Sequence, residues 1–174
     1  MTQSPDAIAL PSSLPDTPPA LRACLFALSG ARFAVDVRSA REVATFDDLT
    51  AVPRAPRLLL GVANLRGTVV PIVDVGPLLG LPEMRPARSV RTLVLRDGPL
   101  LAAVAVETVL GLEPFDDVFA ADGPAAPRGH SASRLVSGWL TWAGETLPLL
   151  DVPRILAIVR ATLAADERAR GGAA

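Results

Sequence analysis

The sequence predicts a mainly β protein, built from two small barrels that pack together, with a helix at the C-terminal end. Three observations carry this prediction. Short apolar stretches alternate with turn signals about every 8–12 residues, which is typical of barrels and sandwiches. One stretch of the chain repeats at a constant offset of 77 positions. Only the tail has the apolar spacing of an amphipathic helix.

The first strands follow a lead-in that is rich in Pro, Ser and Asp. We expect residues 1–19 to be disordered, because this composition offers little apolar surface to bury. From Leu21 onward the pattern is strand-like, and apolar and polar side chains alternate through residues 32–37. Ser29 and Gly30 mark the hairpin turn before that strand.

A second hairpin is more clearly marked. Its strands are predicted at 60–65 and 68–74, with a tight turn at Arg66 and Gly67. Gly67 is expected to have a positive φ, as a two-residue hairpin turn requires. Pro71 lacks an N–H, so we expect its strand to lie at a sheet edge or at a bulge.

The remaining elements follow from the same signals. Further strands are predicted at 91–96, 100–106, 109–113, 136–142 and 146–150. The stretches 82–90 and 115–134 are predicted to be irregular. Asp151 is predicted to cap the C-terminal helix. The folded domain is expected to span residues 20–165, followed by a flexible tail at 166–174.

The internal repeat is the most informative feature of the chain. Residues 61–75 can be laid over residues 138–152 without a gap. The matched pairs include Gly67 with Gly144, Pro71 with Pro148, and Asp74 with Asp151. Repetition at a fixed spacing indicates a repeated structural unit. We therefore expect each half to form one barrel, the halves to depend on each other, and Asp74 and Asp151 to be equivalent caps.

Composition excludes several classes of function. The chain has 17 positive and 18 negative side chains, and every positive one is Arg. A near-neutral balance argues against a nucleic-acid partner, and the absence of Lys excludes a P-loop or Schiff-base lysine. One Cys and one His exclude a disulfide framework and a Cys/His metal cluster. We expect no metal, no cofactor and no inserted membrane span.

Two polar residues raise the question of catalysis or recognition. His130 and Ser131 lie in a Gly/Pro-rich stretch without a nucleophile elbow, so a solvated loop is favoured over a small hydrolase. Arg66 lies at a hairpin tip where the turn needs only Gly67, so it is either a solvated side chain or a recognition arginine. An oligonucleotide-binding barrel is the third alternative, but it would need a basic groove with stacking aromatics.

The central motif resembles a known family. The run Asn64-Leu65-Arg66-Gly67, followed by Pro71-Ile72-Val73-Asp74-Val75, is similar to the signature of CheW-like proteins, the coupling adaptors of bacterial chemotaxis. Flanking segments extend the resemblance over about residues 20–163. They are 33–37, 41–43, 52–56, 60–62, 104–109, Gly138 and 149–152.

The resemblance implies a fold of two SH3-like five-stranded barrels around a shared core. It also implies a non-catalytic scaffold that couples the cytoplasmic tip of a methyl-accepting chemoreceptor to the regulatory domain of a CheA-type histidine kinase. The protein would then be cytoplasmic, at membrane-associated receptor arrays. Arg66 and Glu42 match the family positions associated with partner contacts, and Asn64 and Val43 beside them complete the candidate site.

Overall fold

A computed structural model describes residues 21–85, 88–115, 118–121 and 134–171 of the chain. Within them the chain is mainly β and ends in one helix, so the predicted fold class is confirmed. The predicted disordered segment, 1–19, lies outside the described residues. The strands are β1 (Leu21–Leu28), β2 (Ala31–Asp36), β3 (Ala40–Phe46), β4 (Leu59–Leu65), β5 (Thr68–Val73), β6 (Val90–Asp97), β7 (Leu100–Ala105), β8 (Thr108–Phe115), β9 (Val118–Ala120), β10 (Val136–Trp142) and β11 (Glu145–Leu150). A 3₁₀ turn covers Pro77–Leu79, and helix α1 covers Val152–Gly171.

The strands form two curled sheets, which we call barrel 1 and barrel 2. Barrel 1 has five strands in the order β3-β6-β7-β5-β4, as expected. Barrel 2 has six strands, in the order β8-β1-β2-β11-β10-β9, one more than expected because the short strand β9 adds to its edge. Barrel 2 therefore takes the hairpin β1–β2 from the N-terminal half of the chain, and barrel 1 takes the hairpin β6–β7 from the C-terminal half. The prediction that each half forms one barrel is wrong, because the two halves exchange hairpins.

The internal repeat is visible in the strand pairing. In barrel 1, β5 runs parallel to β7 and Ile72 pairs with Ala103. In barrel 2, β11 runs parallel to β2 and Leu149 pairs with Ala34. Leu149 lies 77 positions after Ile72, the offset of the sequence repeat. The two barrels are therefore versions of one strand arrangement.

Two repeated glycines mark the places where each barrel closes on itself. A Cβ at Gly138 would lie 2.8 Å from the carbonyl oxygen of Phe119 in β9. A Cβ at Gly61 would lie 2.9 Å from the carbonyl oxygen of Thr50, which bridges to β4. Both distances are shorter than a Cβ contact allows, so each crossing requires a residue without a side chain.

Apolar side chains fall into three clusters. One lies within barrel 1 around Val70 and Ile72, and one lies within barrel 2 around Leu25 and Leu140. The largest combines residues of both barrels with α1, including Phe26, Phe33, Leu93, Val104 and Ile155. Burial of each such side chain contributes about 1.5–3 kcal/mol, so much of the stability depends on contact between the barrels.

Cys24 belongs to this shared cluster and is 2% exposed. Burial raises the pKa of its thiol, because the charged thiolate would lose its hydration there. The side chain thus packs as a small apolar group.

Several elements differ from the sequence-based expectation. Strand β3 was not predicted, and β9 lies inside the stretch predicted to be an irregular loop. Helix α1 continues to Gly171, so residues 166–171, which the sequence analysis assigns to a flexible tail, are helical. Among the described residues, no helix has both the length and the hydropathy needed to cross a bilayer.

Pro71 does not lie in an edge strand, because β5 runs between β4 and β7. The residues of β5 that pair with β7 are Ile72 and Val73, directly after the proline. Pro71 therefore lies just before the residues that hydrogen-bond to β7, and its lack of an N–H removes no hydrogen bond from that pairing. This explains how an inner strand accepts a proline.

Candidate partner-binding site

The tip of the β4–β5 hairpin is a tight turn at Arg66 and Gly67. Their φ angles are 51° and 88°, and positive values at both central residues define the turn type that suits a two-residue hairpin. The backbone N–H of Gly67 donates a hydrogen bond of 2.6 Å to Oδ1 of Asn64. Asn64, a predicted partner contact, therefore has its side-chain oxygen engaged in holding the turn.

We expect replacement of Gly67 by Val to destabilise the protein. Nothing lies within 4 Å of a Cβ at this position, so the cost comes from the backbone angle and not from a clash. A β-branched residue with positive φ costs about 2 kcal/mol, equivalent to about 4–8 °C in melting temperature. Scanning calorimetry compares the melting temperatures of Gly67→Val and Arg66→Ala. The second variant keeps the glycine, so it should lose little stability. Equal losses in the two variants would contradict the assignment.

Arg66 and Glu42 form an ion pair. Nη2 of Arg66 lies 2.8 Å from Oε2 of Glu42, which joins the hairpin tip to β3. The Arg66 side chain is 79% exposed, whereas that of Glu42 is only 19% exposed. Nε of Arg41 lies 3.8 Å from the other carboxylate oxygen of Glu42. Since exposed pairs contribute about 0–1 kcal/mol, this pair adds little to stability.

Val43 lies on the other face of β3 from Glu42, because successive side chains of a strand alternate. Glu42 pairs with Val94, whose side chain belongs to the barrel 1 cluster, and Val43 pairs with Leu93 of the shared cluster. Val43 is 49% exposed. The predicted site thus consists of one ion pair on one face of β3 and an apolar side chain, Val43, on the opposite face.

The repeated aspartates have different roles. Oδ1 of Asp151 accepts a hydrogen bond of 3.0 Å from the N–H of Arg154, the geometry of a helix N-cap. Asp74 instead accepts from the N–H groups of Gly76 and Met84, at 2.8 and 2.6 Å, and caps no helix. The expectation of two equivalent caps is therefore wrong, because one repeat continues into a long helix and the other into a short 3₁₀ turn whose N-cap position is Gly76.

A second polar group lies near the equivalent hairpin of barrel 2, where Ala143 takes the place of Arg66. Nη1 of Arg32 lies 2.5 Å from Oε2 of Glu145, and its guanidinium carbon lies 5.7 Å from the centre of the Trp142 ring. No sequence pattern predicts this group, because Arg32 and Glu145 lie 113 residues apart in the chain.

His130 and Ser131 lie outside the described residues. Within the described part of the chain, no three His, Cys, Asp or Glu side chains form a group that could hold a metal ion. The Arg66 guanidinium can form further ion pairs and hydrogen bonds.

Comparison with known proteins gives a consistent result. The family model described as "CheW-like domain" matches residues 22–160. Protein FrzA of Myxococcus xanthus is 30% identical over 139 residues, covering 78% of this chain and 84% of FrzA. Chemotaxis protein CheW of Klebsiella aerogenes is 25% identical over 137 residues, covering 76% of this chain and 79% of that protein. The crystal structure of scaffolding protein TtCheW from Thermoanaerobacter tengcongensis superposes with a TM-score of 0.64 at 19% identity, covering 76% of this chain and 89% of TtCheW.

Proposed function

This chain belongs to the CheW-like domain family, and from that premise we propose that it is a non-catalytic coupling adaptor of a bacterial chemosensory complex. It would bind the cytoplasmic tip of a methyl-accepting chemoreceptor and the regulatory domain of a CheA-type histidine kinase at the same time. The observation that carries the proposal is the Arg66–Glu42 pair, which joins β3 to the exposed tip of the β4–β5 hairpin, within the residues that the family model matches.

The geometry of this pair suits recognition. A guanidinium group has five N–H donors in a planar fork, and one of its nitrogens, Nη2, faces Glu42. The 79% exposure of Arg66 leaves the other donors open to carboxylate or carbonyl oxygens of a partner. Glu42 orients the arginine before binding, which lowers the entropic cost of ordering it at an interface. Val43 lies on the opposite face of β3, so it would supply an apolar contact to a partner that also covers that face.

Location follows from the proposed partners. A chemoreceptor tip lies on the cytoplasmic side of the membrane, so the adaptor would gather at membrane-associated receptor arrays through protein contacts and not by inserting into the bilayer. The net charge of −1 gives little attraction to anionic lipid or to nucleic acid.

The two alternatives gain no support. A hydrolase would depend on His130 and Ser131, which lie outside the described residues. An oligonucleotide-binding barrel would need a basic groove lined with aromatics, and only 4% of the residues are aromatic.

A direct test uses the purified chain with a receptor cytoplasmic fragment and a kinase regulatory domain from the same organism. We expect each to bind in titration calorimetry and all three to co-elute as one complex. Failure of both partners to bind would contradict the proposal, and so would catalytic turnover by the purified protein that is lost in His130→Ala while partner binding persists.

A further inference from the structure

The tight turn that carries Arg66 has the same backbone geometry as two other hairpin turns in the described part of the chain. In each of them both central residues have a positive φ, and the second one is glycine. The three pairs of central residues are Ser29–Gly30, Arg66–Gly67 and Ala143–Gly144. The hairpins therefore share one turn type, and their differences lie in the side chains around it.

The N–H of the turn glycine has a different partner in each hairpin. Gly67 donates to Oδ1 of Asn64, a residue of its own hairpin, at 2.6 Å. Gly30 donates to Oε2 of Glu107, which lies outside the β1–β2 hairpin, at 3.0 Å. For Gly144, no side chain among the described residues accepts this N–H. Only the turn at Arg66 is thus held by a side chain of its own strands.

Barrel 2 shows that the turn closes without such a bond. Thr141 and Ala143 occupy the positions that Asn64 and Arg66 occupy in barrel 1. The φ angles of Ala143 and of the glycine after it are 50° and 81°, against 51° and 88° in barrel 1. Asn64 also lies at an exposed tip, where water can replace its oxygen, so the bond contributes little net stability. Hairpin formation therefore does not explain the bond.

What the bond does fix is one peptide plane. The N–H of Gly67 and the carbonyl group of Arg66 belong to the same planar unit, so holding the N–H also sets the ψ angle of Arg66. The orientation of this central peptide separates the two turn types of two-residue hairpins, since the second central residue has a positive φ in only one of them. Asn64 therefore acts on the backbone from which the Arg66 side chain projects.

The direction of that side chain matters because its ion pair spans barrel 1. Strand β3, which carries Glu42, and strand β4, which leads to the tip, are the two outermost strands of the sheet. Nη2 of Arg66 reaches Oε2 of Glu42 at 2.8 Å across this gap. The carboxylate is mostly buried and the arginine is mostly exposed, so the arginine is the member whose position depends on its backbone.

We propose that Asn64 is a positioning residue for partner recognition: it holds the N–H of Gly67, and thereby fixes Arg66 so that the guanidinium meets Glu42 and presents its remaining donors in one direction. Barrel 2 lacks the arginine and also lacks the bond, which associates the bond with the arginine and not with the hairpin. The inference rests on the proposed adaptor function. It assigns Asn64 an action through Arg66 in place of a partner contact of its own.

Asn64→Ala removes the acceptor and leaves the arginine, the glycine and Glu42 in place. We expect the amide of Gly67 to exchange with solvent about fivefold faster, as measured by NMR. Asn64→Asp keeps an acceptor oxygen, so its Gly67 exchange should stay within about twofold of the wild-type rate. Unchanged exchange in Asn64→Ala would overturn the inference.

A double-mutant cycle with Arg66→Ala distinguishes positioning from direct contact. The two candidate probes are the purified receptor cytoplasmic fragment and the purified kinase regulatory domain, and the cycle uses the one that Arg66→Ala weakens about thirtyfold. We expect Asn64→Ala to weaken this probe about fivefold when Arg66 is present, and less than about twofold when Arg66 is already alanine. Thr141→Ala is the matched control at the equivalent position of barrel 2, and its affinity should stay within about twofold of the wild type.

The other outcomes are distinct from one another. Equal losses with and without Arg66 would show that Asn64 contacts the partner directly, which overturns the inference. A lower melting temperature with unchanged affinity would show a merely structural residue and would overturn it too. If the wild type binds neither fragment, the adaptor function fails and the inference falls with it. If the wild type binds but Arg66→Ala weakens neither fragment, the adaptor function stands, while the Arg66 site and this inference fail.

Discussion

A fragment that ends at Arg88 will not unfold cooperatively, because it contains incomplete parts of both barrels. It lacks β6 and β7, the neighbours of β3 and β5, and it lacks β8 and β11, the neighbours of β1 and β2. What remains paired are the hairpins β1–β2 and β4–β5, and two-stranded hairpins are marginal in water. The fragment also exposes its share of the core between the barrels.

The expected loss exceeds the stability of a typical domain. Several apolar side chains of the shared cluster lose their partners, at about 1.5–3 kcal/mol each, against a total of about 5–15 kcal/mol for a folded domain. Circular dichroism with thermal melting, and sedimentation to establish the oligomeric state, provide the measurement. A cooperative melt of the monomeric fragment would contradict the exchanged-hairpin topology.

A shorter, central fragment is the informative comparison. Residues 38–106 contain all five strands of barrel 1 without interruption. We expect this fragment to retain more β-sheet signal per residue than the longer fragment 1–88. The reverse result would show that chain length matters more than complete strand pairing.

Arg66→Glu will abolish coupling between receptor and kinase while the protein remains folded. The substitution places two carboxylates next to each other at the hairpin tip, and it presents the opposite charge to the partner that Arg66 is proposed to recognise. Interface arginines are frequent hot spots, so we expect binding to weaken by about 2 kcal/mol or more, about thirtyfold. Calorimetric titration of each partner, followed by kinase activity in a reconstituted mixture with receptor, measures both effects.

Arg38→Glu is the matched control for this substitution. Arg38 is 82% exposed and pairs with Asp36, which is 21% exposed, so the two arginines occupy closely similar pairs. The hydrogen bond from the Arg38 side chain lowers the pKa of Asp36, so this carboxyl group is charged. Arg38→Glu therefore replaces the positive partner of a carboxylate with a negative one, as Arg66→Glu does. We expect Arg38→Glu to bind and couple as the wild type does. Equal losses in the two variants would indicate a general effect of charge.

The double exchange of Glu42→Arg with Arg66→Glu separates recognition from internal stabilisation. It restores an ion pair of reversed polarity between β3 and the hairpin tip. If the pair served only to join the hairpin to β3, the double variant would behave as the wild type. Because we assign the contact to Arg66 itself, we expect coupling to remain lost.

Local patterns in the sequence predict much of this fold. The turn at Arg66 and Gly67 and the cap at Asp151 follow from residue types that tolerate or supply one particular local geometry. The repeat at an offset of 77 predicts two related barrels, because equivalent residues pair in both. Strand β3 escapes prediction because Arg41 and Glu42 mask its alternation, and its conformation depends on pairing with β6.

Long-range arrangement is where sequence reasoning fails. No local signal distinguishes a hairpin that completes its own barrel from one that completes the other barrel. For the same reason, the sequence predicts residues of the candidate site but not how they contact one another. Its position at a hairpin tip singles out Arg66, and the family resemblance adds Glu42. Neither predicts the contact between them, which joins β3 to the hairpin tip.

The exchanged hairpins also set an order for events during synthesis. All strands of barrel 1 leave the ribosome in one continuous run, so that barrel can close while the rest of the chain is still being made. The hairpin β1–β2 emerges first but must wait for Glu113 to pair with Ala23 and for Leu149 to pair with Ala34. Such distant pairings are slow to form because closing a long loop costs entropy before any contact repays it. The hairpin β1–β2 is therefore synthesised before barrel 1 but is among the last elements to reach its native partners. When it does so, barrel 1 can already be closed.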